Sequence, residues 1–492
     1  MNATTRTAIL AALLTGASTP ALAQTTEERI AALEARITAL TGELAELKAE
    51  TTRAAAQKTG QNGGQNGGQN GGQNGGGETR RAPEAMVSLP NGRPTLTTPD
   101  GSKFAIRSMI QFDAAAYDER AGTTDLNSGT NFRRARIGLE GTFQKHWNYS
   151  LITEFGGSGT ESPVLNQAFL EYAGWRPASL KNPIRLRIGG WAPSAGLEDA
   201  ISNAEASFME RPAVAEMVRN LAGGDARSGV GVLANGDRWF GSLVLTGGTV
   251  GTSTPEFDEQ GGYIARVAFT PLAGEDWAVH AGASLQGIFK VADTGPGAVT
   301  VTELRFRERP ELRVDGTRLV DTGAIRAKDM TVYGGELGVS YRNLHVSGEV
   351  FRIDVDRIGG FNPRFGGWYV QGAWTLTGEH HEWSGQTGSF RGVKPKAAFS
   401  PADGQWGALE IAARYSVLDL NSGEGARGTA TPILGIRGGE QSVATVALNW
   451  HPNALYRFQL QYLHIDVDRL SPTGVQVGDE ANVVALRSQV SF

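Results

Sequence analysis

Arginines at short, regular intervals are the residues of this sequence best suited to chemistry. Arg305, Arg307, Arg309 and Arg313 follow one another at spacings of 2, 2 and 4 residues. In an extended segment, residues two apart lie on the same side, about 6.6 Å from each other. A guanidinium group is permanently charged and matches a pair of oxyanion oxygens with two parallel hydrogen bonds. Such a row could bind an oxyanion weakly and hand it on.

More arginines occupy alternate positions in other segments, namely Arg107, Arg134, Arg136, Arg185, Arg187, Arg266, Arg414 and Arg457. Apolar neighbours such as Ile137 and Leu139 define the opposite face, so we expect these arginines to point into water. The alternative is that they pair with carboxylates and only brace the fold, for example with Glu140, Glu154, Glu171, Glu336 and Glu410. Acidic residues could also neutralise part of the 305–313 row, namely Glu303, Glu308 and Glu311.

The segments that carry these arginines alternate apolar with polar residues. Trp147, Tyr149 and Leu151 fall on one face of such a segment, whereas Asn148 and Ser150 fall on the other. A period of two predicts β-strands. By itself it fits a soluble sandwich as well as a membrane barrel.

The lengths of the connections decide between these two folds. Sixteen candidate strands lie near 103–117, 131–143, 147–156, 165–173, 184–191, 229–235, 239–246, 263–270, 277–287, 330–342, 344–353, 366–376, 408–418, 441–450, 454–465 and 482–492. Joins after even-numbered strands are mostly short and the others mostly longer, with 377–407 as the exception. An even strand number with this alternation is typical of outer-membrane barrels, whose short turns and termini face the periplasm.

Two further features favour the barrel. Aromatic residues stand near predicted strand ends, as an interfacial girdle requires; they include Trp147, Tyr149, Trp368, Trp374, Trp450, Tyr456 and Tyr462. The last segment is largely apolar at every second position and ends in Phe492, as in clients of the barrel-assembly machinery. We therefore predict an all-β fold, a 16-stranded antiparallel transmembrane β-barrel over 91–492.

Three segments precede the predicted barrel. Residues 1–23 combine Arg6, an apolar run and Ala21-Leu22-Ala23, which predicts a cleaved signal peptide. Residues 24–55 place Ile and Leu at alternating spacings of 3 and 4, which predicts an α-helical coiled coil, either dimeric or trimeric; a single amphipathic helix is the alternative. Residues 56–90 contain four copies of Gln-Asn-Gly-Gly and are expected to form a flexible linker.

The connection 192–228 is the third long loop, which in barrels of sixteen strands folds inward. It contains Arg211, Arg219 and Arg227 as candidates for a constriction, and a possible helical turn at 213–218. Apart from the predicted signal, no apolar run approaches the length of a membrane-spanning helix.

Composition narrows the function further. The chain has 492 residues, no Cys and a net charge of −5. We expect no Cys-based metal site, no cofactor and no nucleic acid partner, because binders of nucleic acid usually carry a basic domain. The seven His are scattered, and His380-His381 belong to no catalytic motif, so no enzymatic activity is predicted.

Four stretches resemble the phosphate- and polyphosphate-selective porins of Gram-negative outer membranes. They are 132–138 (FRRARIG), 304–311 (LRFRERPE), 392–396 (GVKPK) and 482–492. The resemblance implies a homotrimer of sixteen-stranded barrels, an arginine ladder that leads to a constriction, and a lysine cluster near the periplasmic exit. Arg133 and Arg134 would be the paired arginines of the family, the 305–313 row its ladder, and Lys394 and Lys396 its exit lysines.

The sequence thus predicts an anion-conducting porin of the outer membrane that takes up inorganic phosphate or polyphosphate. Its other expected contacts are outer-membrane lipid and, through the coiled coil, the cell wall. Two alternatives remain: a general porin of weak selectivity, and a structural tether between outer membrane and cell wall.

Overall fold

The computed structural model describes residues 85–157, 164–250, 258–293 and 301–492. The predicted signal peptide, the predicted coiled coil and the predicted linker up to residue 84 lie outside these residues. No helix within the described ranges is long and apolar enough to cross a membrane.

Sixteen long strands, β1 to β16 in chain order, form one antiparallel sheet in which each strand pairs with the next. They are Lys103–Ala121, Gly129–Phe143, Trp147–Glu154, Val164–Trp175, Ile184–Trp191, Arg227–Asn235, Trp239–Thr249, Gly261–Ala273, Trp277–Lys290, Ile325–Tyr341, Leu344–Arg357, Arg364–Thr375, Ala408–Ser422, Ile436–His451, Tyr456–Asp468 and Glu480–Ser491.

The sheet closes on itself. Strand β16 pairs with β1, with Val490 opposite Ile110 and Ala481 opposite Glu119. Closure leaves no free edge, as a sheet within hydrocarbon requires. The prediction of sixteen strands is confirmed, and each predicted segment overlaps one strand. Before β1, Met86–Ser88 pairs with Thr95–Thr97, which in turn pairs with the start of β1.

Apolar side chains cover the outside of the barrel and polar ones fill its interior. On β10, Leu337 is 68% exposed, whereas the adjacent Glu336 is 3% exposed. The same parity holds on β13, where Ile411 is exposed and Glu410 and Arg414 are buried. A soluble protein would show the reverse. The predicted assignment of faces is therefore confirmed.

Aromatic side chains gather where the short turns lie. Trp147 contacts Tyr172 with 4.9 Å between ring centroids, and Phe143 stacks on Tyr149 at 4.6 Å. On β14 and β15, Trp450 stacks on Phe458 at 5.5 Å. Rings with a polar edge and an apolar face suit the membrane interface. We call this end, with turns such as 144–146 and 236–238, the short-turn end.

Three connections fold into the barrel and define its interior. The constriction loop, 192–226, contains α1 (Leu197–Ala200) and α2 (Ala213–Ala222). The arginine loop, 301–324, contains a small hairpin in which Arg307–Glu308 pairs with Val320–Asp321. The long turn, 376–407, enters from the short-turn end and carries a second small hairpin, Trp383–Ser384 with Ser389–Phe390.

Candidate functional site

A cavity of about 300 Å³ lies among α2, the arginine loop and β2; we call it the outer cavity. Nine arginines and three carboxylates are among the residues that line it. The arginines are Arg133, Arg134, Arg211, Arg219, Arg305, Arg307, Arg309, Arg313 and Arg318, and the carboxylates are Glu216, Asp225 and Glu308. The structure thus brings together seven loop arginines and two strand arginines that are distant in sequence.

A β-bulge lets two consecutive arginines face the same cavity. In the pairing of β1 with β2, Gln111 lies opposite Arg134 and Phe112 opposite Phe132, so Arg133 has no partner position. In a regular strand, neighbouring side chains point to opposite faces. The extra residue allows Phe132 to remain on the outside while the side chains of Arg133 and Arg134 are 11% and 4% exposed on the inside.

Glu210 of the constriction loop is the common partner of the arginines beside it. Its oxygens accept hydrogen bonds from Arg133 Nε at 2.7 Å and from Arg487 Nη2 at 2.8 Å, and Arg134 lies at 3.6 Å. Burial alone would raise the pKa of Glu210, but these guanidinium groups hold it well below its usual range. The loop is therefore held to β2 and β16 by charge-assisted bonds.

A second ionic cluster, largely buried, involves α2. Arg219 Nε lies 2.7 Å from Asp199, and its Nη2 contacts Asp225. Glu216 accepts a hydrogen bond from Arg313 of the arginine loop at 2.6 Å. Burial opposes ionisation of Glu216, but Arg313, Arg219 and Arg211 together lower its pKa to about 2. Arg211 lies farther from its carboxylates, at 3.8 Å from Asp199 and 3.6 Å from Glu216.

Within the arginine loop, the arginines differ in how far their charges are compensated. Arg305 pairs with Asp321, whereas Arg309 donates to the carbonyl oxygen of Gly316 at 3.1 Å. Arg307 is exposed. Neither it nor Arg318 forms an ion pair within the described ranges.

Burial and repulsion among these guanidinium groups lower the pKa of Arg309 and Arg318. Burial, followed by the like charges of Arg313 and Arg318, lowers the pKa of Arg309 to about 10. Burial and Arg307 likewise lower the pKa of Arg318. A bound anion would relieve this repulsion, because an opposite charge favours the charged form of each group.

Most strand arginines outside this cavity are braced by carboxylates. Arg107 pairs with Glu140 at 3.1 Å, Arg187 with Glu171 at 2.6 Å and Arg266 with Glu336 at 2.7 Å. Arg136 contacts both Glu154 and Asp225. These are the ion pairs expected if the arginines brace the fold, which was the alternative given for them from the sequence. Arg185 differs, since it bonds only to Asn235 and the carbonyl of Gln386.

Two further cavities continue from the outer one. The middle cavity, about 270 Å³, shares Asn203, Arg211, Arg219 and Asp225 with the outer cavity. The inner cavity, about 430 Å³, shares Arg107, Ala192, Asp199, Ala200 and Ser202 with the middle one. The three cavities therefore adjoin one another, from the arginine loop past the constriction loop to the long turn.

The two lysines predicted at the exit lie in the long turn, outside the three cavities. Lys394 and Lys396 are exposed in the long turn, and Lys396 donates to the carbonyl of Gly378 at 2.7 Å. Neither lines the outer, middle or inner cavity; Arg391 of the same turn lines the inner one. Arg227, predicted within the constriction loop, is the first residue of β6 and donates to the carbonyl of Gly223 at 2.7 Å.

The cavity arginines Arg318 and Arg391, and Arg487 at the seam between β16 and β1, were not singled out from the sequence. For Arg487 a signal exists, because it alternates with Leu486 and Ser488 on a strand whose apolar face was recognised. Arg318 and Arg391 lie in irregular segments, where no period indicates the direction of a side chain. In the described residues, no group of three or more His, Asp and Glu is arranged to hold a metal ion.

Comparison with known proteins finds relatives over the whole barrel. The family model described as phosphate-selective porin O and P matches residues 104–492. Porin O of Pseudomonas aeruginosa is 22% identical over 417 residues, which cover 79% of this chain and 88% of that protein. An uncharacterised protein of Caulobacter vibrioides is 26% identical over 416 residues, which cover 82% of this chain and 76% of that one.

Two solved structures have a related outline over 80% of this chain. The anion-selective porin from Comamonas acidovorans has a TM-score of 0.47 at 11% identity, covering 80% of this chain and 100% of that one. The trimer form of OmpT from Vibrio cholerae has a TM-score of 0.46 at 12% identity, covering 80% and 99%.

Proposed function

Since this chain belongs to the family of phosphate-selective porins O and P, we propose that it is an outer-membrane channel through which phosphate or polyphosphate diffuses along an arginine-lined pore. The resemblance noted in the sequence is thereby confirmed at the level of the family. Membership in a porin family makes the protein a channel of the outer membrane rather than an enzyme. Beyond membership of the family, we propose the selectivity of the channel and the residues that produce it.

The excess of positive charge in the outer cavity carries the proposal. Nine arginines line the cavity against three carboxylates. Three more carboxylates, which do not line the cavity, pair with these arginines: Asp199, Glu210 and Asp321. Even when all six are counted, the arginines remain in the majority by three. A narrow cavity with such an excess concentrates anions and repels cations.

Some arginines of the outer cavity pair with carboxylates and others do not, and this difference suggests how an anion passes. Arg307 and Arg318, which have no ion pair in the described residues, would receive the anion first. Arg309, Arg133 and Arg134 offer donors deeper in the same cavity. At the middle cavity, Arg211 lies near Asp199 and Glu216. Arg219 pairs with Asp199 and Asp225. Competition from these carboxylates would weaken anion binding there, so that the anion is released.

Further parts of the proposal come from the family resemblance and the sequence. We propose a homotrimer whose short turns face the periplasm, exported by the signal peptide 1–23. A contact between the predicted coiled coil, 24–55, and the cell wall is part of the same proposal. Arg133, Arg134, Arg136, Arg185, Arg187, Arg211, Arg219 and the 305–313 row are the proposed anion-contacting residues, with Lys394 and Lys396 at the exit.

A general porin of weak selectivity is the second candidate. The pairing of Arg107, Arg187 and Arg266 with carboxylates favours it, because paired charges produce little net field along the pore. The two candidates differ in whether phosphate has a binding site. They are therefore separated by measuring block rather than conductance alone.

The test uses the purified protein in planar lipid bilayers. In a KCl gradient, the sign of the reversal potential should show preference for Cl⁻; preference for K⁺ would refute anion conduction. Added phosphate should then reduce the chloride current in a saturable way. Replacing Arg307 and Arg309 with Ala should raise the half-blocking phosphate concentration. Arg342→Ala, an exposed arginine in the turn between β10 and β11, is the matched control.

A further inference from the structure

The inner cavity differs in chemistry from the outer one. Four arginines line it, namely Arg107, Arg185, Arg187 and Arg391, and so does a group of apolar side chains, Trp191, Leu233, Phe240, Val244 and Phe390. In the outer cavity the only such apolar residues are Met217 and Leu221. The lining of the outer cavity is therefore dominated by guanidinium groups, while the inner cavity combines guanidinium groups with an apolar wall.

Two of the four inner arginines have charge available for a ligand. Arg107 and Arg187 are committed to Glu140 and Glu171. Arg185 bonds only to neutral oxygens, those of Asn235 and Gln386 at 3.3 and 3.4 Å, and its Nε is buried without a partner. Arg391 donates to Ser384 Oγ at 3.3 Å. Within the described ranges, neither forms an ion pair with a carboxylate.

The acidic residues of the inner cavity cancel these charges only in part. Asp199 is occupied, since it lies 2.7 Å from Arg219 Nε and accepts a hydrogen bond from the backbone of Ala195 at 2.9 Å. Glu205 is the other carboxylate of the lining, and it forms no ion pair with a described arginine, so its charge offsets one of the two free arginines. The inner cavity thus keeps an excess of one positive charge over its own carboxylates.

The apolar wall selects among anions. A fully hydrated inorganic oxyanion gains nothing from Trp191, Phe240 or Phe390, because apolar groups cannot replace the hydrogen bonds of its water shell. A ring on the anion reverses this balance, since its apolar surface leaves water as it meets the wall. The cavity volume of about 430 Å³ falls within the range typical of small-molecule sites.

We propose that the inner cavity is a binding site for small organic anions that join one carboxylate or phosphate group to an aromatic ring. Arg185 and Arg391 hold the anionic group, and the ring packs against Val244, Phe240 and Phe390. The chain would then conduct aromatic anions as well as inorganic ones. This inference rests on the proposed channel function, because the inner cavity is reached through the barrel.

Benzoate and acetate make the test specific for the ring, since they carry the same carboxylate. In planar bilayers with KCl, benzoate should halve the chloride current at a concentration about ten-fold lower than acetate does. The double variant R185Q/R391Q should raise the half-blocking concentration of benzoate about ten-fold through loss of charge-assisted bonds. Val244→Thr, which keeps the side-chain shape but makes it polar, should weaken block by benzoate and leave block by acetate unchanged.

Phosphate in the same experiments separates this inference from the proposed function. Val244→Thr should leave block by phosphate within two-fold, whereas Arg307→Gln should weaken block by phosphate and leave block by benzoate unchanged. Equal half-blocking concentrations of benzoate and acetate would overturn the inference while phosphate block stands. Block by benzoate without block by phosphate would support the inner site and contradict the phosphate site. Each variant is first shown to fold by its heat-dependent shift in gel mobility.

Discussion

Arg487 on β16 and Asp113 on β1 lie directly opposite each other at the seam that closes the barrel. The guanidinium Nε and Nη2 donate to the two carboxylate oxygens, each at 2.7 Å, and both side chains are fully buried. Arg487 also donates to the backbone oxygen of Met209 and to Glu210 at 2.8 Å. One arginine therefore connects the first strand, the last strand and the constriction loop.

Replacing Asp113 with Ala should destabilise the barrel by about 3 kcal/mol, because the buried Arg487 would lose two charge-assisted bonds and keep only Glu210, which it shares with Arg133, as a carboxylate partner. The measurement is the temperature at which the folded form disappears on gels run without boiling. Asp118→Ala on the same strand is the control. Its partner Arg120 is 56% exposed, so the change should cost at most about 1 kcal/mol. Equal losses in the two variants would contradict the role of the seam.

The strands could be predicted from the sequence because their two faces meet different surroundings. Hydrocarbon demands apolar residues and the lumen tolerates polar ones, so each strand carries a period of two along its length. Strands β3 and β13 show this pattern without interruption, as at Trp147 to Leu151 and at Leu409 to Val417. Strand ends were predicted less well, because beyond the membrane both faces are wet and the alternation disappears.

The partners of the arginines could not be predicted, because closure of the barrel brings together residues far apart in the chain. Asp113 and Arg487 are 374 residues apart, and Arg414 and Glu311 are 103 apart. Arg133 posed a different problem. Regular alternation would point Arg133 and Arg134 to opposite faces of the strand. A bulge, which leaves no clear mark in the sequence, turns both side chains inward.

Acidification should increase anion selectivity through Glu308 of the outer cavity. Burial and the nearby carboxylate of Glu216 raise the pKa of Glu308 above its ordinary value of 4.5. Glu216 remains ionised, since its pKa is lowered to about 2. As the pH falls from 7 toward 4.5, Glu308 gains a proton first and the cavity gains one positive charge. The reversal potential in a KCl gradient should therefore shift toward that of Cl⁻.

The variant Glu308→Gln isolates this effect. Without the titrating carboxylate, it should already have the higher anion preference at pH 7 and change little on acidification. Asp237→Asn, an exposed partner of Lys181 in a short turn, should behave like the parent protein. A parent whose selectivity is flat between pH 7 and 4.5 would show that Glu308 does not titrate in this range.

Arg318 should contribute to phosphate block as strongly as the arginines predicted from the sequence. It lines the outer cavity, and its Nε is buried without a hydrogen-bond partner. Loss of one charge-assisted bond costs about 1.5 kcal/mol, so Arg318→Gln should raise the half-blocking phosphate concentration about ten-fold. Arg427→Gln, an exposed arginine of the loop between β13 and β14, serves as the control. Block of equal strength in the two variants would remove Arg318 from the site.

The arginine loop is fastened to the barrel wall and to α2 by Glu311. This buried carboxylate accepts hydrogen bonds from Arg414 Nη2 and Ser416 Oγ on β13, and from the backbone N–H of Ala213 at 2.8 Å. The bond to Ala213 caps the N-terminus of α2, where a negative charge is favourable. Glu311 also adopts a φ of +60°, an unfavourable backbone conformation for a residue with a side chain. Its bonds therefore hold the loop in a conformation that the backbone alone would not favour.

Replacing Glu311 with Gln should release the arginine loop while the barrel stays folded. The amide keeps one acceptor oxygen but turns an NH₂ group toward donors, so at least one charge-assisted bond is lost and opening of the loop should become about ten-fold more frequent. Cleavage of the folded protein by trypsin after Arg313 or Arg318, followed by mass spectrometry, measures this opening. Glu303→Gln changes an exposed carboxylate of the same loop and should leave the cleavage rate unchanged. If Glu311→Gln is cleaved no faster than Glu303→Gln, the loop is held by its apolar contacts, such as those of Phe306 with Phe365, rather than by Glu311.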